Sequence, residues 1–270
     1  MRTLITAAVL IVSAACAYSP ATPPGPAVFP AGTVVDLSHA YGEDTVFWPT
    51  ADAFKLEAVA SGITPGGFYY AANKFSTSEH GGTHLDAPIH FAQGRNTVDQ
   101  IPLERLMGPA VVVDVTGSAD SNADYLVSVA DIEAFERAHG RIPDDTIVLI
   151  RTGFSHRWPD AARYLGTAER GAGAVAKLHF PGVDPPAARF LVEQRKIRAI
   201  GIDTASIDRG QSTTFETHQI LGAANVPGFE NLNALERVPP TGAQIVALPM
   251  KIRGGSGGPL RAIAILPATR

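Results

Sequence analysis

Residues 78–91 read Ser-Glu-His-Gly-Gly-Thr-His-Leu-Asp-Ala-Pro-Ile-His-Phe, so three of the eight histidines and one aspartate fall within eleven residues. Imidazole nitrogen with carboxylate oxygen is the ligand set of a catalytic divalent ion such as zinc or manganese. The spacing restricts the local backbone. His80 and His84 are four apart, which suits one helix face, but Gly81, Gly82 and Pro88 oppose a helix here. His84 and Asp86 are two apart, so an extended segment points both to one side. Pro88 then bends the chain and can bring His90 back. A turn carrying surface histidines is the plain alternative; four metal-type side chains so close together argue against it. An ion also needs ligands from distant chain, so the fold must carry other segments to this one.

The run resembles the signature His-x-Gly-Thr-His-x-Asp-x-Pro-x-His of the cyclase family of metal-dependent hydrolases, which includes bacterial kynurenine formamidase and has isatin hydrolase as a relative. Further segments are similar to that family in the same order. They are Asp36-Leu37-Ser38 with Trp48-Pro49, and the run from Val98 to Val115 with Ile101-Pro102-Leu103 and Gly108 to Asp114. Gly201-Ile202-Asp203-Thr204, Ser206, Asp208, His218 and Glu230-Asn231-Leu232 complete the set, and the similarity runs from Val34 to Pro267. The resemblance implies an α/β chain with a swivelling β/β/α fold around a barrel-like mixed sheet. It implies that His80, His84 and Asp86 hold one ion and that Asp86, His218 and Glu230 hold a second, with Asp86 and Glu230 able to touch both. Some relatives hold a single ion, so one or two Zn²⁺ or Mn²⁺ ions are expected. It assigns proton transfer to His90 and an aromatic substrate contact to Trp48; should His90 prove a ligand, Glu230 is the next candidate to handle the proton. A core tryptophan is an equal reading of Trp48. A homodimer or larger assembly is implied as well.

The chemistry follows from the charge. A bound divalent ion lowers the pKa of its water from about 16 to about 7, which makes hydroxide available to attack an amide carbonyl. The leaving nitrogen needs a proton, and an imidazole at position 90 titrates in a range that can supply it. Asp203 and Asp208 either orient ligands from behind or cap turns. His39, His139, His156 and His179 stand alone and read as structural or exposed. Gly254-Gly255-Ser256-Gly257-Gly258 matches Gly-x-Ser-x-Gly, but that pattern needs a strand before it and a helix after it. Pro259 and a strand follow here, so the stretch reads as a glycine-rich connection and Ser256 is rejected as a nucleophile.

Residues 33–270 read as a single domain. Strands are expected at Thr33–Leu37, Phe54–Val59, Phe68–Phe75, Ala110–Asp114, Thr146–Ile150, Arg198–Ile202, Gln244–Lys251 and Arg261–Leu266. Helices are expected at Val129–His139, from an Asp184 N-cap through Gln194, and, short, at Phe215–Leu221. Residues 1–17 read as an export signal: Arg2, an apolar run from Leu4 to Val12, then Ala15-Cys16-Ala17. A periplasmic or secreted protein is expected. Ser13-Ala14-Ala15-Cys16 offers a lipid anchor on Cys16 as the alternative. Residues 18–32 read as a Pro/Ala-rich linker. The formal net charge of −4, with no basic run, argues against nucleic acid as a partner.

These readings combine into a hydrolase of a small cyclic or N-acyl amide, a formamide or lactam on an aromatic ring. The alternative is a non-catalytic metal- or anion-binding protein on the same fold. His90 discriminates, because a pure binding site has no use for a proton-transfer group beside a complete ligand set.

Overall fold

The computed structural model describes residues 32–267. The export signal, the possible anchor at Cys16 and all of the linker but Gly32 lie outside the described residues.

Twelve strands are formed: β1 Val34–Asp36, β2 Lys55–Ile63, β3 Tyr69–Ser76, β4 His84–Asp86, β5 Met107–Asp114, β6 Leu126–Val127, β7 Ile147–Arg151, β8 Gly182–Val183, β9 Ala199–Ile202, β10 Gly228–Glu230, β11 Ala243–Pro249 and β12 Gly257–Ile265. The main sheet runs β1-β12-β11-β5-β7-β9-β10-β4, and β4 also pairs with β12, so seven strands close into a barrel with β1 added alongside. The strands β5, β7, β9 and β10 are mutually parallel, and the other pairings of this sheet are antiparallel. This mixed barrel is the architecture that the family resemblance implied.

The apolar runs in β5 and β7 are buried on both faces because the barrel has an inside and a helix-covered outside. Val112, Ile147 and Leu149 join Leu85, Phe229 and Ala262 in the inner core. Their neighbours Val111, Val113, Val148 and Ile150 point outward, where they pack with Ile132 and Leu191. Each such fully buried side chain contributes about 1.5–3 kcal/mol relative to exposure. Ile132 belongs to the helix Val129–His139, found at the expected bounds and capped reciprocally by Ser128 and Asp131. Leu191 belongs to the helix Pro185–Arg195. Asp184 occupies its N-cap position but makes no side-chain capping bond, which corrects the expected role. The two prolines at the helix start set the entry instead.

The boundaries differ where long-range pairing decides them. The strand expected at Arg261 begins at Gly257, because β4 offers a partner to Gly257, Gly258 and Pro259. β2 and β3 form a separate two-stranded hairpin with a register shift at Ala58/Ala60.

Candidate active site

The barrel closure builds the site. Glu230 on β10 stands opposite His84 on β4, and Asp86 is flanked by Gly228 on one side and Gly257 on the other. The 3₁₀ turn Pro88–His90 follows at once and returns His90. The short helix Glu216–Ala223 delivers His218. The five side chains named as ligands from the sequence therefore converge. Ligand atoms of His80, His84 and Asp86 lie within 4.8 Å of one another, and so do those of Asp86, His218 and Glu230.

The ring orientations follow from what lies behind each histidine. His84 Nδ1 is 2.9 Å from the Gly82 carbonyl, which Asn231 Nδ2 also meets at 2.8 Å. Gly82 has φ +57°, the left-handed region that favours glycine. His84 Nε2 is then the free lone pair. It is buried with no hydrogen-bond partner among the described residues, 3.1 Å from Asp86 Oδ1 and 3.4 Å from Glu230 Oε2. His218 Nδ1 meets Asp208 at 2.6 Å, and its Nε2 faces Asp86 and Glu230 at 3.1 and 3.0 Å. His80 Nδ1 lies 2.7 Å from Asp86 Oδ1.

Burial opposes charge on every one of these groups, and neighbours decide the outcome. Burial raises Glu230, and the charge of Asp86 raises it further. Burial also works against ionised Asp86, but His80, His218 and His84 hold it well below the usual carboxylate range. Burial would lower His84 and His218; Asp86 and Glu230, with Asp208 behind His218, drive both upward instead. The carboxylates thus draw positive charge onto these rings, and a divalent ion would supply that charge in place of the ring protons, taking up the unpartnered His84 Nε2. The residues fit a divalent ion.

His90 is outside both ligand groups. It stacks on His80 with centroids 3.8 Å apart and 17° between planes, and its Nε2 is 4.0 Å from Asp86 Oδ2. Burial lowers its pKa to about 4, so the ring is neutral at pH 7. The cluster opens into a cavity of ≈ 400 Å³ walled by Val46, Phe47, Trp48, Phe91 and Phe215. Trp48 is half-buried: it lines this cavity and packs edge-on against Phe180 at 6.3 Å.

Asp208 combines the two roles considered for it, since it accepts from the His218 ring and from the backbone N–H of Thr217 and His218. Asp203 only caps a turn, accepting from Thr152 and Gly153 away from the ligands. His139, His156 and His179 are exposed, whereas His39 is half-buried and stacks on Trp158 at 4.2 Å. Phe47, Phe91, Phe215 and Asn231 were missed from the sequence. The first three are aromatics within three residues of Trp48, His90 or His218, a signal that could have found them. Ser256 precedes a strand and is absent from the cavity wall among the described residues, yet its hydroxyl lies 2.9 Å from His80 Nε2.

The Cyclase family model matches residues 35–209. Isatin hydrolase of Roseibium aggregatum is 33% identical over 209 residues, covering 74% of this chain and 77% of that protein. Kynurenine formamidase of Salinibacter ruber is 27% identical over 241 residues, covering 85% of this chain and 96% of that protein. The structure of isatin hydrolase A from Ralstonia solanacearum superposes with a TM-score of 0.79 at 35% identity, covering 92% of this chain and all of that one. The family model spans well over half of the chain, from before His80 to beyond Asp208, and relatives and fold agree with it: this chain belongs to the Cyclase family of hydrolases.

Proposed function

We propose that this chain hydrolyses the amide bond of a small aryl lactam or aryl formamide at a divalent-ion site made of His80, His84, Asp86, His218 and Glu230. The observation that carries the reading is the orphaned Nε2 of His84, aimed at two carboxylates beside an aromatic-walled cavity. A divalent ion held there supplies Lewis-acid chemistry and makes water a usable nucleophile near neutral pH. His90, neutral at rest and bordering the cavity, takes the proton that water gives up and returns it to the departing nitrogen. Glu230 is the second group able to handle a proton, because burial and Asp86 raise its pKa. Trp48, Phe47, Phe91 and Phe215 select a flat ring, and ≈ 400 Å³ suits a one- or two-ring substrate. Relatives named for isatin and for a kynurenine formamide support an aryl amide as the substrate class.

Three histidines with two carboxylates take Zn²⁺ or Mn²⁺, and Asp86, common to both ligand groups, lets the site hold one ion or two. The non-catalytic binding reading gives His90 nothing to do. Export to the periplasm or beyond, or anchoring through Cys16, rests on residues 1–17 alone. A homodimer is favoured by the apolar hairpin of β2 and β3, which a second copy would cover.

The test is hydrolysis of isatin and of an N-formyl aniline by purified protein loaded with Mn²⁺ or Zn²⁺. The reading expects ring opening or deformylation that a chelator abolishes and added ion restores. Protein that binds the ion and turns over neither class of substrate supports the binding reading instead.

A further inference from the structure

His84 and His218 each hand the ring nitrogen away from the cluster to a fixed acceptor, the Gly82 carbonyl and the Asp208 carboxylate. Such a bond fixes tautomer and ring plane and leaves the other nitrogen for an ion. His80 has a counterpart supplied from far along the chain. Its Nε2 lies 2.9 Å from Ser256 Oγ, and that hydroxyl donates to Glu79 Oε2 at 2.6 Å. The same Glu79 oxygen accepts the Ser256 backbone N–H at 3.1 Å. A hydroxyl has one hydrogen, and this one points at Glu79. Toward His80 it can only accept, so Nε2 carries a ring proton, and Nδ1, 2.7 Å from Asp86 Oδ1, is the nitrogen that would give up its proton to ligate an ion.

The serine is held where the relay needs it. Its carbonyl accepts from Ala87 N at 2.8 Å, and the next residue, Gly257, pairs with Asp86. A Cβ on Gly257 would lie 2.5 Å from His80 Cε1, so the glycine is what lets the ring rest against this strand. His80 in turn stacks on His90.

We propose that Glu79 and Ser256 are positioning residues: together they set the tautomer and ring plane of His80 for a divalent ion and, through the stack, the plane of His90. This rests on the divalent-ion reading of the site. A rival use of the same atoms exists, since Ser256, His80 and Asp86 have the order of a nucleophile, base and acid. The hydroxyl hydrogen directed at Glu79 opposes it, as does the absence of Ser256 from the cavity wall among the described residues.

The experiment is titration of metal-stripped protein with Mn²⁺ alone, without substrate, alongside hydrolysis assays of the loaded forms. Ser256→Ala and Glu79→Ala should each weaken Mn²⁺ binding roughly 10–100-fold. Ser256→Thr and Glu79→Gln, which keep the hydroxyl and an acceptor oxygen, should recover most of it. The double alanine variant should be no worse than Ser256→Ala, because Glu79 acts through the hydroxyl. Wild-type affinity in both alanine variants overturns the relay, and so do losses that multiply in the double variant. Normal Mn²⁺ binding with abolished hydrolysis in Ser256→Ala overturns it in favour of the nucleophile. If Ser256→Ala does not fold, the Glu79→Ala and Glu79→Gln pair decides alone. A wild type that binds no divalent ion overturns the function reading itself, and this inference with it.

Discussion

His90 and Asp86 separate proton transfer from ion binding. Asp86 contributes to both ligand groups, whereas His90 contributes to neither and touches the cluster through its stack on His80. His90→Ala should therefore keep the metal content and lose roughly 10²–10⁴-fold in rate, the usual effect of removing a positioned acid–base group. Asp86→Ala should lose ion and activity together. Metal analysis beside the kinetics checks both; a His90→Ala protein as metal-poor as Asp86→Ala would make His90 a ligand. His39 gives a test of stability. Burial alone holds its pKa at about 4, below the 6.5 of a free imidazole. The unfolded ring takes up a proton where the folded ring does not, so His39 subtracts stability as pH falls from 6.5 toward 4 and has no effect above that window. Between pH 7.5 and 5, metal-stripped wild type should lose about 2 kcal/mol more than His39→Gln in urea unfolding. Equal losses would show that His39 is hydrated in the folded state.

The ligands ride on very short elements, and the groups that steady them come from loops. The Asp208 carboxylate holds the His218 ring and also the N–H groups of Thr217 and His218 at the start of the short helix Glu216–Ala223. Asp208→Ala should weaken divalent-ion binding roughly 10–100-fold while the barrel stays folded, as titration calorimetry and circular dichroism can report. Unchanged affinity would reduce Asp208 to a turn cap. The same elements show what a sequence can disclose. His80, His84, Asp86 and His90 were legible because one short run carries them and their spacing encodes an extended segment followed by a turn. β5 and β7 were legible as continuous apolar runs, and the helix Val129–His139 by its periodic Ile132 and Phe135. Three-residue strands such as β4 and β10 carry no period of their own, so neither the barrel closure nor the early start of β12 could be read. Glu79 is 177 positions from Ser256, and nothing local marks a bond formed only when β12 closes on β4. Gly-x-Ser-x-Gly pointed to the right serine for the wrong chemistry.

At the scale of the whole molecule, the barrel buries its own core but the hairpin of β2 and β3 does not. Leu56, Val59, Ile63, Tyr69, Tyr70 and Phe75 are all more than half exposed on it. A lone two-stranded hairpin is marginally stable in water, and apolar residues grouped in this way mark an interaction surface. Light scattering should find a dimer at micromolar concentration, and Val59→Asp with Tyr70→Asp should shift it toward monomer with the ion site intact. A monomeric wild type would leave the hairpin to another partner. The account as a whole turns on a barrel whose closure brings two distant segments to one divalent ion. Anomalous diffraction from crystals grown with Zn²⁺ tests that most directly. The account predicts a peak about 2.0–2.2 Å from His84 Nε2 and from the Asp86 carboxylate, with His218 and Glu230 bordering the same peak or a second one that shares Asp86. A cluster with no peak, or an ion bound elsewhere while these five side chains hydrogen-bond only to one another, would contradict it.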